Sequence, residues 1–204
     1  MNAIIFGNGD FKNINNINKF VDLNDAVSIG VDGGCNYLLD NNIKIDIAIG
    51  DFDSVKDREV LNEVPSILKS DMSYSDFEMA IEYCIIKKFK KVYLYGCTGK
   101  RSDHFIFNFR LMERLYKNNI EAFMIDEYNL ITLFSGKKSF YKKDFKFFSI
   151  IPVYENSVFS IEGYKYDLLN KELNLVNSLT LSNEWECDKV TINSNKLIFV
   201  CLVF

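Results

Sequence analysis

The chain has 204 residues and a formal net charge of −4; 48% of its residues are apolar, 25% charged and 15% aromatic, with 10 Gly and only 2 Pro. These proportions exclude disordered, collagen-like and mucin-like chains, and the length allows one large domain or two small ones with a real core. No apolar run reaches the roughly 18 to 20 residues of a membrane span, the Met1 to Phe6 stretch has no basic flank of a secretory signal, and basic and acidic residues nearly balance, 15 against 18 up to residue 125 and 9 against 10 beyond it. A cytoplasmic protein with neither a membrane nor a nucleic-acid surface is the expectation.

In chain order, short β-branched runs predict strands at Ala3 to Phe6, Val27 to Val31, Ile45 to Ile49, Ser66 to Lys69, Lys91 to Tyr95 and Glu121 to Ile125. Amphipathic stretches separate them. The clearest carries Phe77, Ala80, Ile81, Cys84 and Ile85 on one helical face, opened by Ser75 with Glu78 as a capping box, and a further helix is expected over Phe105 to Lys117. Strands alternating with helices predict an α/β N-terminal domain with a mainly parallel sheet, over residues 1–128. From 129 to 204 the rhythm changes to short runs: Ile131 to Phe134, Ser139 to Tyr141, Phe147 to Val153, Val158 to Ile161, Leu175 to Leu181, Lys189 to Ile192 and Leu197 to Phe204. Ser-Gly, Glu-Asn, Asn-Lys and Asn-Ser-Asn turns would separate them in an all-β, sandwich-like C-terminal domain. The five cysteines are odd in number and form no Cys-x-x-Cys pair, so they are read as small core residues.

Chemistry collects after the N-terminal strands. Gly7 to Asp10, Asp32-Gly33-Gly34, Gly50-Asp51-Phe52-Asp53-Ser54, Ser70 to Asp76 and Gly96 to His104 would all share the carboxyl edge of a parallel sheet, where ligands of such sheets bind. Turns such as Asn41-Asn42, 87–90 and Asn118-Asn119 at the opposite edge look plain. Asp51 and Asp53 can aim two carboxylates at one point, with Asp76 as a third. Two such charges at 4 Å repel by about 4 kcal/mol at an effective dielectric near 20, so convergence calls for a cation. Oxygen-only ligands favour Mg²⁺. Gly33 and Gly34 permit backbone N–H groups to approach a phosphate, and Lys100 and Arg101 supply cations for a polyphosphate beside Asp103 and His104, the chain's one histidine.

These motifs resemble those of the thiamine pyrophosphokinase family in order and spacing: Val31-Asp32-Gly33-Gly34, Gly50-Asp51-Phe52-Asp53-Ser54, Ser75-Asp76-Phe77-Glu78, and Gly96 to His104 with Asn108. Gly163-Tyr164-Lys165-Tyr166 and Leu181-Ser182-Asn183-Glu184 extend the resemblance over nearly the whole chain. It implies transfer of the diphosphoryl group of ATP to the hydroxyl of thiamine, giving thiamine diphosphate and AMP, in a homodimer with shared active sites. By the same resemblance Asp51, Asp53 and Asp76 would be Mg²⁺ ligands, and Asp32, Gly33, Gly34, Ser75, Arg101, Asp103, His104 and Asn108 would contact the nucleotide and its phosphates. Ser182 and Asn183 would recognise thiamine, and Trp185 would stack on its ring or fill a core or dimer interface. One departure stands out. Where the family usually has Lys-Asp-x-Thr-Asp, this chain has Met72-Ser73-Tyr74-Ser75-Asp76, so Asp71 or Lys69 would have to substitute. Asp103 and His104 both stay open as the general base, and a non-catalytic sensor or a metal-dependent phosphoesterase are alternative readings of the same residues.

Overall fold

The run Ala3-Ile4-Ile5-Phe6 has no polar residue with which to face water on either side, and all four side chains are completely buried. A strand covered on both faces is the signature of the middle of a parallel sheet. In the computed structural model, which describes residues 1–10, 14–165 and 167–204, that strand is β1 (Asn2–Phe6). It pairs in parallel with β2 (Ala26–Val31) on one side and β5 (Lys91–Tyr95) on the other. Parallel pairing continues outward from β2 to β3 (Ile47–Gly50) and β4 (Ser66–Leu68), and from β5 to β6 (Glu121–Ile125). The resulting order, β6-β5-β1-β2-β3-β4, reverses direction between β1 and β5. Parallel neighbours require crossovers, and helices supply them.

Residues α1 (Asn15–Asn18), α2 (Gly34–Asp40), α3 (Asp76–Ile86) and α4 (Ser102–Lys117) follow. Ser75 caps α3 as its sequence signals: in an extended conformation, its side chain accepts the Glu78 N–H at 3.1 Å. Ala80, Ile81 and Cys84 form the buried stripe of α3, which packs on β2 and β3, while α4 lies against β6 and α3. Arg114 of α4 spans to Glu78 at 2.9 Å and Glu82 at 2.6 Å on α3. After α2, α3 and α4 the chain reverses through Asn42, Lys88 and Asn119, each with positive φ, so the turns opposite the site are helix terminators.

This first unit, Met1–Glu127, is followed by a second, Tyr128–Phe204, whose pairings are all antiparallel. Its axis is β12 (Lys189–Val203), bonded along one side to β7 (Asn129–Tyr141). Along the other side β12 meets β9 (Ser157–Glu162) with its N-terminal half and β8 (Phe147–Pro152) with its C-terminal half. β10 (Leu168–Leu173) extends from β9, and β11 (Asn183–Glu184) from β8.

Four expectations for this unit are corrected. Ile131 to Phe134 and Ser139 to Tyr141 are one strand, because Gly136, at φ 81°, absorbs an irregularity opposite Ser194 instead of reversing the chain. Lys189 to Ile192 and Leu197 to Phe204 likewise join, the Asn-Ser-Asn segment forming a bulge in which the Ser194 hydroxyl donates to the Lys196 carbonyl at 2.7 Å. The Asn-Lys pair at 170–171 lies inside β10, where Asn170 at φ 47° marks a register shift. Leu175 to Leu181 is not a strand: the carboxamides of Asn174 and Asn177 accept the N–H groups of Val176 and Leu179, and these local turns win over a ladder.

No helix among the described residues is long and apolar enough to cross a membrane. Cys35, Cys84 and Cys97 are buried free thiols, as read from sequence, Cys201 is intermediate, and Cys187 is exposed.

Candidate active site and family

At the point where the sheet reverses direction, the loops after β1 and β5 lie against each other as if the strands continued. Gly7 N donates to the Tyr95 carbonyl at 2.8 Å and Gly9 N to the Gly96 carbonyl at 2.7 Å. A side chain at Gly7 or Gly9 would run into Gly96 O, which explains the two glycines. The Lys100 ammonium ties the same loops by donating to the Asn8 carbonyl at 2.9 Å. Beside them opens a cleft of about 340 Å³ lined by Asn8, Asp32, Ser75, Asp76, Thr98, Arg101, His104 and Asn108, among others. Its size and its place at the switch point suit a small-molecule ligand.

Asp32 holds φ 46°, and its carboxylate accepts the Ser54 N–H at 3.1 Å, drawing the β3 loop towards the β2 loop. In that loop Phe52, buried and at φ 61°, is turned into the protein, so the aspartates on either side of it share the outward side. Carboxylate oxygens of Asp32, Asp51 and Asp53 lie within 4.8 Å of one another. Asp76 stands apart from that trio but close enough to feel it. Burial raises its pKa most, the Lys69 ammonium at 3.3 Å opposes this, and Asp51 and Asp32 raise it further. Three converging carboxylates with oxygen donors alone fit a hard divalent cation such as Mg²⁺. Asp32, read from sequence as a nucleotide contact, therefore joins Asp51 and Asp53, while Asp76 faces Lys69.

The glycines of the Asp32-Gly33-Gly34 motif serve packing. A Cβ on Gly34 would overlap the Phe6 carbonyl oxygen and one on Gly33 the Asn8 side chain. Arg101 and Asp103 form a bidentate pair, at 2.6 Å and 3.2 Å, and Asp103 also accepts the His104 N–H at 2.9 Å. Bonding to Arg101 first, then to that N–H, holds the Asp103 carboxyl down to about 2. Asn108, buried in α4, reaches back to the Cys97 carbonyl.

In the second unit Ser182, exposed and at φ 53°, leads into Asn183, which is buried and donates to the Thr180 carbonyl at 2.8 Å. Trp185 packs edge-on to Phe148 at 5.1 Å, and Phe148 edge-on to Tyr164 at 6.0 Å. The indole N–H of Trp185 is buried with no hydrogen-bond partner among the described residues. Of the Gly163 to Tyr166 motif, Tyr166 lies outside the described residues.

Residues 21–124 match the family model described as thiamin pyrophosphokinase, catalytic domain, and residues 139–199 match thiamin pyrophosphokinase, vitamin B1 binding domain. The chain belongs to the thiamin pyrophosphokinase family. It is 31% identical over 182 residues to the thiamine pyrophosphokinase of Bacillus subtilis (strain 168), covering 85% of both chains, and 24% identical over 186 residues to thiamin pyrophosphokinase 1 of Caenorhabditis elegans, covering 84% of this chain and 76% of that one. The crystal structure of the Bacillus subtilis thiamine pyrophosphokinase superposes with a TM-score of 0.89 at 26% identity, covering 100% of this chain and 99% of that one. The Candida albicans enzyme shares the fold, with a TM-score of 0.85 at 15% identity over 100% of this chain and 88% of its own. With both domains of the family in one chain, its activity is that of a thiamine diphosphokinase.

Against the thiamin pyrophosphokinase pattern the departing segment is now specific. Met72 is 80% exposed, and Asp71, also exposed, accepts the Ser73 N–H at 2.8 Å; the Ser73 hydroxyl first, and then that N–H, lower its pKa. Sequence reasoning placed the Gly7 to Asp10 loop at this edge but gave Asn8 no role there. Its signal is the pair of flanking glycines, which leave room for its side chain against Gly33 and for its carbonyl to receive Lys100.

Proposed function

We propose that the cleft of the first unit binds ATP with Mg²⁺ and that the second unit presents the hydroxyl of thiamine to the β-phosphorus, with AMP leaving. The observation that carries this reading is the meeting of Asp32, Asp51 and Asp53 within 4.8 Å at the rim of a cleft on the sheet's switch point. Those three aspartates would hold the ion, with Asp76 as a fourth carboxylate beside them. Mg²⁺ held there would supply positive charge to offset that of the phosphates. The chain's own groups then position and stabilise, which is most of what phosphoryl-type transfer requires. Arg101, fixed by Asp103 at the cleft, would face charge building on the phosphates, and the adjoining loops hold the nucleotide against Asn8 and Asn108.

Ser182 and Asn183 would fix thiamine, and the unpartnered indole N–H of Trp185 has room in its bonding for an acceptor on the same ligand. The chain acts as a cytoplasmic homodimer in which one protomer's thiamine turn serves its partner's nucleotide site, as the family resemblance implies. Asp103 and His104 are the candidates for accepting the alcohol proton, Asp103 the weaker base of the two because Arg101 holds its carboxyl down to about 2. A coupled assay for AMP tests the whole reading: AMP should appear only when thiamine, ATP and Mg²⁺ are all present. Phosphate release without thiamine would favour a phosphoesterase, and binding without turnover a sensor.

A further inference from the structure

The acidic rim contains four aspartates, and Gly50 shows how tightly two of them are set. A Cβ on Gly50 would lie 3.3 Å from Asp32 Cβ and 3.4 Å from Asp76 Cγ. Such a group repels itself unless a cation is close. The cations at the cleft are committed elsewhere, Lys100 to the Asn8 carbonyl and Arg101 to Asp103. Lys69 is set against the aspartates instead. Its side chain is 10% exposed, and its ammonium is 3.3 Å from Asp76 Oδ1, a buried oxygen that has no other donor among the described residues. The backbone holds Lys69 there, because its N–H donates to the Gly50 carbonyl at 3.0 Å just beyond the β3–β4 pairing. Asp76 is among the residues lining the cleft, and Lys69 is not.

We propose that Lys69 is a positioning residue: its largely covered side chain brings the ammonium against the Asp76 carboxylate and fixes that carboxylate beside the acidic trio. Neither exposed Met72 nor Asp71, which is bonded to Ser73, can do this. Not being among the residues that line the cleft, Lys69 acts through Asp76. The inference rests on the function proposed above, so it is tested by a measurement that does not require turnover as well as by one that does.

The experiment is a double-mutant cycle of Lys69→Met and Asp76→Asn, with Lys69→Arg as the charge-conserving control. Mg²⁺ binding is followed by calorimetry without nucleotide, kcat and KM by AMP formation, and folding by thermal melts. Lys69→Met should weaken Mg²⁺ binding and lower kcat by about tenfold to a hundredfold, the usual cost of losing a partner that orients a metal ligand, while the KM for thiamine holds. Lys69→Arg should restore most of both. In the Asp76→Asn background Lys69→Met should add nothing, the non-additivity expected of groups acting as one. Should Lys69→Met melt below the assay temperature, Lys69→Gln, which keeps the stem and a polar head without charge, takes its place. Unchanged or tighter Mg²⁺ binding in the uncharged variant, or simple addition of the two effects, overturns the inference. If the wild-type protein makes no AMP from ATP and thiamine, the proposed function fails, yet the Mg²⁺ cycle still decides the role of Lys69.

Discussion

Asn108 and Cys97 are joined by a buried hydrogen bond, the Asn108 carboxamide donating to the Cys97 carbonyl at 2.8 Å. Because α4 carries one partner and the loop after β5 the other, the bond locks the Gly96 to Arg101 loop onto the helix that follows it. Asn108→Ala should therefore cost about 1–3 kcal/mol of stability, the price of an unsatisfied buried carbonyl. It should also raise the KM for ATP more than that for thiamine. Chemical denaturation and steady-state kinetics check both, and an unchanged KM for ATP would leave Asn108 a structural residue only.

Asp51→Asn and Asp53→Asn each remove one charge from the trio within 4.8 Å. Turnover should fall by roughly two orders of magnitude or more at saturating Mg²⁺. The Asp53 variant, altered at an exposed side chain, should melt like the wild type. Near-normal AMP formation in both would remove the cluster from the mechanism.

The Asp103 carboxyl is held down to about 2, first by the Arg101 side chain and then by the His104 N–H. An acid whose folded value lies below its unfolded value, about 3.9, contributes stability above that unfolded value and loses it as pH falls through about 2. NMR titration of the Asp103 carboxyl should show a midpoint near 2, and Arg101→Ala should return it towards the ordinary aspartate range. A midpoint unmoved by Arg101→Ala would mean that the pair does not persist in solution.

Asn183 serves the fold through Thr180 and, by the proposed function, thiamine as well. Asn183→Ala should lower the melting temperature and raise the KM for thiamine while ATP binding holds. Loss of ATP affinity with thiamine affinity intact would reverse the roles assigned to the two units.

Asp71→Ala should leave turnover close to wild type and only loosen the turn, since that carboxylate is exposed and bonded to Ser73. A tenfold loss of kcat would bring Asp71 back as the compensating acid.

The first unit was legible because its signals are local and redundant. Lys91 to Tyr95 and Glu121 to Ile125 fall where β-branched and apolar runs put them, and Ser75 and Glu78 announce the start of α3. In the second unit hydrophobic runs misled. The four apolar side chains of Leu175 to Leu181 are exposed, Val176 at 91%, whereas β10 buries only Leu173 and so carries no alternation to read. Joining two runs into β7 required knowing that Gly136 continues the strand rather than turning, which depends on its pairing with Ser194. At the site, residue types pointed to a metal and a phosphate, but which aspartate meets which depends on Phe52 facing inward and on Lys69 reaching Asp76.

Strand β12 also bears on how the chain is made. It is the only strand that joins β7, β8 and β9 among the described residues, and it follows all of them in sequence. A growing polypeptide can complete the parallel sheet of the first unit once β6 has emerged, because all six of its strands precede β7. The second unit must hold its earlier strands with open edges until β12 emerges, a long-range closure of the kind that folds slowly and invites aggregation. A ribosome pausing between β10 and β12 would therefore leave the first unit folded and the second unassembled.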